Sequence, residues 1–305
     1  MNSAYLFPGQ GSQYVGMGKS LVERFPEAKE VFQEADDAIN FSLSKICFDG
    51  PEEILKQTSN TQPAIFVHSI AIWKILNPSN GIMFAGHSLG EYSALVASGA
   101  IKFSDAIKIV RLRGNLMLRA GIEQPGTMAA IVGLENNIVD EICTQISKSE
   151  TVQSANFNSP GQVVISGSKN GVSLAMTALK LRGAKLVKEL VVSGAFHSPL
   201  MVSAKSELDE ALQDLKINEI INPVYANVTA KPVLNPNEIK KLLSEQLTSA
   251  VKWSESILNM VNDGAENFIE IGPGKVLQGL VKRISPTVTI SGINTAEDLE
   301  KFLNK

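Results

Sequence analysis

Apolar and polar positions follow two regimes along the chain. In the first, short apolar runs alternate with longer stretches at helical spacing. Tyr5–Phe7 reads as a first strand and leads into Pro8-Gly9-Gln10-Gly11-Ser12-Gln13. Pro26–Ile39 places Ala28, Val31, Phe32, Ala35 and Ile39 at a helical period. Gln62–Leu76 is apolar nearly all round, which predicts a helix buried on every side. Ile82–Ala85 reads as a second buried strand and Glu91–Ala97 as a helix. Ser104 is placed to cap a helix running to about Arg119. This alternation predicts a parallel sheet covered on both faces.

The second regime lies in the middle. Met128–Val132 is strand-like and Ile138–Ile146 helical. Val152–Phe157 and Val163–Ser166 are strand-like and joined by Asn158-Ser159-Pro160-Gly161, a hairpin signal. Leu174–Leu181 is helical and Lys185–Val192 a strand. The order β-α-β-β-α-β is that of the ferredoxin-like unit. Helix Leu200–Leu215, strand Pro223–Val228, helices Asn237–Leu247 and Glu255–Val261, strand Phe268–Ile271 and a last α-β-α stretch return to the first regime. The expected fold is α/β. A large α/β-hydrolase-like domain with a parallel sheet and nucleophile elbow spans 1–125 and 195–305, and a small ferredoxin-like subdomain at 126–194 is inserted in it. The junction of two such parts is a usual place for a site.

Gly86-His87-Ser88-Leu89-Gly90 fits G-x-S-x-G between a predicted strand and a predicted helix. In a nucleophile elbow that sharp turn pushes the serine hydroxyl outward. A serine hydroxyl needs a base. His68 lies in an apolar segment and reads as a buried histidine. His87 adjoins Ser88 on the turn and points elsewhere, to orient the elbow or touch substrate. His197, directly after the inserted segment, is the leading base. With an ordinary imidazole, activity would fall near pH 6.5. No carboxylate flanks His197, so a Ser–His dyad is expected, its imidazole oriented by something other than an aspartate.

Composition narrows the picture. The chain has 305 residues, 44% of them hydrophobic and 19% charged, with net charge −3, which implies no general affinity for nucleic acid. Cys47 and Cys143 form no C-x-x-C, and the histidines form no H-E-x-x-H. That disfavours a disulfide scaffold, a zinc site and a catalytic metal, and fits a reducing compartment. No apolar run is long enough to span a bilayer. A cytoplasmic protein is expected, or one of the plastid stroma if a transit segment has been removed. Gln13–Ser20 imitates a phosphate-binding loop, except that Gln13 stands where the first glycine belongs.

The stretches LFPGQGSQYVGMG, GHSLGEYSALVASG, RLRG, NFNSPGQVVISG and GAFHSPLM occur in one order along essentially the whole chain. In them the chain resembles malonyl-CoA:acyl carrier protein transacylases and the acyltransferase domains of fatty acid and polyketide synthases. The resemblance implies that Ser88 is the nucleophile and His197 its partner. It implies that the backbone carbonyl of Gln246, before Leu247, Val251 and Trp253, orients that histidine. Backbone N–H groups of Gln10 and Leu89 would form the oxyanion hole, and Arg113 would bind the malonyl carboxylate, with Arg111 and Arg119 left as helix-surface arginines. His87, Phe196 and Asn156 would line the substrate pocket, Phe196 suggesting an unbranched malonyl group. The implied reaction passes malonyl from malonyl-CoA to the phosphopantetheine thiol of acyl carrier protein through a malonyl-serine, supplying fatty acid extender units without a cofactor. The alternatives are a serine esterase or thioesterase, and a polyketide acyltransferase. Lys275, Lys282 and Arg283 are candidates for receiving the acidic carrier protein. A monomer with no nucleic-acid or membrane partner is expected.

Overall fold

A computed structural model of the chain describes residues 2–78 and 83–304, so the expected strand start at Ile82 lies outside the described residues. The strands are β1 (Ser3–Phe7), β2 (Met83–Gly86), β3 (Gly126–Val132), β4 (Val152–Ser159), β5 (Gln162–Ser168), β6 (Leu186–Glu189), β7 (Val224–Tyr225), β8 (Pro232–Val233), β9 (Asn267–Ile271) and β10 (Thr289–Ile293). They form two sheets. The first has the order β10-β9-β1-β2-β7-β8 and is parallel except for β8. The second, β4-β5-β3-β6, is antiparallel throughout.

The central strands are apolar on both sides because both faces of the first sheet are covered. Tyr5, Phe7 and Phe84 pack into one hydrophobic cluster, edge-on to Trp73. Their sequence neighbours Ala4, Leu6, Met83 and Ala85 point the other way, into a cluster with Trp253, Phe268 and Leu277.

The buried helix runs Thr58–Leu76, one turn longer than expected. Its polar first turn is satisfied from inside: Asn60 Nδ2 donates to Ile54 O at 2.9 Å and Thr61 Oγ1 to Leu55 O at 2.6 Å. Pro63 has no N–H for the carbonyl of Ser59, four residues back. Arg111 Nη1 donates to that carbonyl instead, at 2.6 Å, and to Asn60 Oδ1, also at 2.6 Å. Its guanidinium lies 4.3 Å over the Phe41 ring. Arg111 is therefore a structural clamp, not the surface arginine expected. Arg119 is exposed as expected and pairs with Glu123 and Glu207. Ser104 caps nothing. The helix runs Phe103–Glu123 with Lys102 at its N-cap, which puts Ser104 inside the first turn.

The middle of the chain follows the expected order, with helices Asn136–Ile146 and Lys169–Leu181 between the strands. A two-residue turn at Pro160–Gly161, with Gly161 at φ 70, joins β4 to β5. β6 is shorter than expected, ending at Glu189. Leu190 to Ser193 then line a cleft between the two sheets. The chain leaves for the second sheet and returns from it through one close crossing: a methyl group on Gly121 would lie 2.1 Å from Ser193 O. A second tie joins the sheets at Val251, whose N–H donates to Ala155 O at 2.8 Å and whose carbonyl accepts Phe157 N–H at 2.9 Å. The expected helix Leu200–Leu215 is a 3₁₀ turn, Pro199–Met201, followed by helix Val202–Asp214. The expected strand Pro223–Val228 shrinks to the two residues of β7. Among the described residues, no helix is long and apolar enough to cross a membrane.

Candidate active site

The turn after β2 is as sharp as its glycines allow. A methyl on Gly86 would sit 1.8 Å from Gly90 C, and one on Gly90 would sit 2.0 Å from Phe7 O. Only hydrogen fits at either place. Ser88 between them has φ 52, in the left-handed region. Three contacts hold it there. Its N–H donates to Asn227 Oδ1 at 2.7 Å, Asn227 Nδ2 donates to Gly86 O at 2.7 Å, and Gln246 Nε2 donates to Ser88 O at 3.0 Å.

Ser88 Oγ lies 2.8 Å from His197 Nε2, and His197 Nδ1 lies 2.8 Å from the backbone carbonyl of Gln246. A carbonyl only accepts, so Nδ1 carries the proton and Nε2 is left to accept from the serine hydroxyl. His197 also has left-handed backbone, φ 57. Gln153 Nε2 secures it by donating to His197 O at 2.7 Å and Thr248 O at 3.1 Å. Burial first, then the Arg113 cation and to a smaller degree His87, push the imidazole pKa down to about 3, against the opposing bond to Gln246.

Arg113 is 1% exposed. Its Nη1 donates to Gln62 Oε1 at 2.5 Å, and its Nη2 to Gln246 Oε1 at 2.9 Å and to Ser88 Oγ at 3.2 Å. These partners are all neutral. The nearby carboxyl of Glu91 is itself pushed up to about 7 by burial. A buried cation thus stands beside the serine hydroxyl without a full countercharge.

The cleft in front of this group has a volume of about 840 Å³. Gln10, His87, Ser88, Leu89, Arg113, Asn156, Phe196 and His197 all line it, and Gln246 stands behind. Among the described residues the N–H groups of Gln10 and Leu89 have no hydrogen-bond acceptor. His87 turns away from Ser88 as expected. Its Nε2 meets Asn158 Oδ1 at 2.8 Å and its ring centroid is 5.5 Å from that of Trp253. His68 is buried elsewhere, with Nε2 2.9 Å from Asn294 O. Lys275, Lys282 and Arg283 are exposed on and before helix Val276–Ile284, whose Val276, Leu277 and Leu280 line the cleft. In the loop resembling a phosphate site, the Gly16 and Met17 N–H groups are taken by the carbonyls of Cys47 and Tyr14.

Four residues at the site were not singled out from the sequence: Gln62, Glu91, Gln153 and Asn227. Glu91 carried the plainest signal, an acid three residues past the elbow serine in a helix with no other charge.

This fold and cleft define a class. Residues 4–297 match the acyl transferase domain family, and the chain belongs to it. Within it, the chain is similar to malonyl CoA-acyl carrier protein transacylase of Bacillus subtilis, at 45% identity over 301 residues covering 97% of this chain and 95% of that one. It is similar in structure to an acyl carrier protein S-malonyltransferase from Vibrio cholerae, with TM-score 0.96 and 43% identity over 99% of this chain and 100% of the other. It also resembles a malonyl-transacylase solved with its type II polyketide acyl carrier protein, with TM-score 0.96 and 40% identity over 100% of this chain and 99% of that one.

Proposed function

We propose that this protein transfers malonyl from malonyl-CoA to the phosphopantetheine thiol of acyl carrier protein, by a ping-pong route through a malonyl ester of Ser88. The observation that carries the reading is the contact of Ser88 Oγ with both His197 Nε2, at 2.8 Å, and the buried Arg113, at 3.2 Å. A nucleophile beside an unneutralised cation suits an acyl group that brings its own carboxylate. Arg113 receives that carboxylate as a bidentate pair. His197 Nε2 takes the Ser88 proton as Oγ attacks the thioester carbon. The N–H groups of Gln10 and Leu89 receive the negative charge that develops on the carbonyl oxygen. The C–S bond breaks, His197 returns the proton to the departing sulfur, and CoA leaves. The phosphopantetheine thiol then gives its proton to His197 and attacks the ester. Ser88 is regenerated and no cofactor is consumed. Gln246 orients the imidazole, and His87, Asn156 and Phe196 shape the pocket.

The finer architecture belongs to the same reading. The large part (1–125 and 195–305) is hydrolase-like around the elbow, and 126–194 is a ferredoxin-like insert, supported by the strand order β4-β5-β3-β6 with two helices between. The protein works as a monomer with no nucleic-acid or membrane partner, in the cytoplasm or the plastid stroma. The buried free thiols of Cys47 and Cys143 suit a reducing compartment. It supplies extender units for fatty acid synthesis, with a polyketide pathway as the alternative. Carrier protein docks on the exposed face of Lys275, Lys282 and Arg283.

The test is to incubate the protein with malonyl-CoA, quench, and map the acylated residue by mass spectrometry, with and without a thiol acceptor. A malonyl group on Ser88 that leaves only when the thiol is added is the expected result. Release to water at the same rate would make the protein a thioesterase, and no adduct on Ser88 would end the proposal.

A further inference from the structure

Glu91 lies one turn past the nucleophile, on helix Gly90–Ala97, and is 3% exposed. One oxygen, Oε2, accepts twice: from Gln246 Nε2 at 2.7 Å and from the backbone N–H of Asn227 at 3.0 Å. These two residues hold the Ser–His pair. The Asn227 side chain bridges Ser88 N–H and Gly86 O. Gln246 donates to Ser88 O, accepts from Arg113, and offers its backbone carbonyl to His197 Nδ1. One branch from Glu91 Oε2 therefore ends on the nucleophile's backbone, and the other on both nucleophile and base. In a triad an acid touches the histidine directly. Here the acid stands one residue further back.

We infer that Glu91 is a positioning residue for acyl transfer, whose Oε2 locks Asn227 to Gln246 and so keeps the Ser88 hydroxyl and the His197 imidazole in one frame. The inference rests on the reading of Ser88 and His197 as nucleophile and base. The role needs an acceptor oxygen in one place rather than a negative charge. Burial disfavours the charged form of Glu91 in any case. Glutamine keeps a carbonyl oxygen at the same reach. Aspartate keeps the charge but withdraws the oxygen by about one C–C bond, ~1.5 Å. Alanine leaves two buried N–H donors without an acceptor.

The experiment compares Glu91→Gln, Glu91→Asp and Glu91→Ala in the full chain. It measures kcat and KM for malonyl-CoA, the rate at which phenylmethylsulfonyl fluoride modifies Ser88, and thermal unfolding to confirm that each variant is folded. A misplacement near 1 Å costs on the order of 100-fold in rate. Glu91→Gln should therefore retain kcat within about 3-fold, Glu91→Asp should lose roughly 10- to 100-fold, and Glu91→Ala at least as much. KM should stay within about 3-fold of the wild type, and sulfonylation should fall in the same order. If Glu91→Ala does not fold, the Gln-to-Asp comparison decides alone. Glu91→Asp outperforming Glu91→Gln would make the charge the function and overturn the inference. So would a folded variant with the acceptor displaced and kcat intact, or a loss confined to KM. A wild type that is sulfonylated on Ser88 but takes no malonyl group would overturn the proposed reaction and leave the order of variants readable by sulfonylation. A wild type that is not sulfonylated would overturn both.

Discussion

Ser88 and His197 meet across 2.8 Å with both backbones in the left-handed region, at φ 52 and 57. That region costs a residue with a Cβ roughly 1–2 kcal/mol. The contacts from Asn227 and Gln246 at one end, and Gln153 at the other, sustain it. Ser88→Ala should form no acyl-enzyme. Ser88→Gly should be equally inactive yet more stable than Ser88→Ala by about 1 kcal/mol, since glycine takes this conformation freely. Urea denaturation of the two variants measures the difference, and alanine proving the more stable would refute the strain.

Removing the base should slow acylation. His197→Ala is expected to lose roughly 10²- to 10⁴-fold in acyl-serine formation. The acid limb of the wild type should lie well below the pH 6.5 of an ordinary imidazole. Burial first, and then Arg113, disfavour the protonated ring, so His197 stays neutral and able to accept as pH falls. A malonyl carboxylate on Arg113 offsets part of that effect, so the limb in kcat for malonyl-CoA should sit higher than the limb in kcat/KM for acetyl-CoA. Steady-state rates from about pH 4.5 to 8, spanning the ordinary imidazole window, should show no limb near 6.5 with acetyl-CoA and place any limb with malonyl-CoA above that with acetyl-CoA. A limb near 6.5 with acetyl-CoA would contradict the buried environment.

Arg113 should separate malonyl from acetyl. Truncating one partner of a buried charge pair costs about 2–5 kcal/mol. Arg113→Ala should therefore lower kcat/KM for malonyl-CoA roughly 30- to 5,000-fold. Acetyl-CoA, with no carboxylate, should lose much less, so the malonyl-to-acetyl ratio is the quantity to measure. Arg113→Lys should recover only part of the malonyl rate, because an ammonium cannot reproduce the fork. Equal losses on both substrates would make Arg113 structural.

Acid should destabilise the fold through its buried histidines. His68 is held neutral, its pKa lowered to about 4 by burial. Between about 6.5 and that value the unfolded chain binds a proton that the folded chain does not, so stability falls as pH falls through this window. The slope is about 1.4 kcal/mol per pH unit for each such histidine. Glu91 runs the other way between 7 and 4.5, because its folded pKa is raised. His68→Gln should shrink the stability loss from pH 6.5 to pH 5 by about 2 kcal/mol relative to the wild type, read by urea denaturation. An unchanged loss would show that His68 is not held neutral.

Local spacing made Ser88 readable, since the two glycines that close the elbow flank it in sequence. The six elements of the second sheet and its helices were readable in order for the same reason: periodicity is a local signal. His197 stood out because three histidines left few choices, whereas Gln246 and Arg113 came through family resemblance. The rest of the site depends on pairings that sequence spacing does not carry. Asn227 reaches Ser88 across 139 positions, and Gln246 reaches Glu91 across 155. Arg111 looked like a surface residue because its partner is a carbonyl left open by Pro63 on another helix. β7 stops early because Ala226 N–H turns back to Lys231 O, which frees Asn227 for the elbow.

The attachments of the second sheet have a mechanical meaning. Gly121–Ser193 and Val251 fasten its root, and His87–Asn158 and Arg283–Gln162 fasten its hairpin end. A wall fixed at both ends is braced. Gln153, on that wall, grips the carbonyls of His197 and Thr248. The wall therefore carries the imidazole at a set height over the elbow, so the 2.8 Å contact between Ser88 and His197 stands ready before any acyl group arrives.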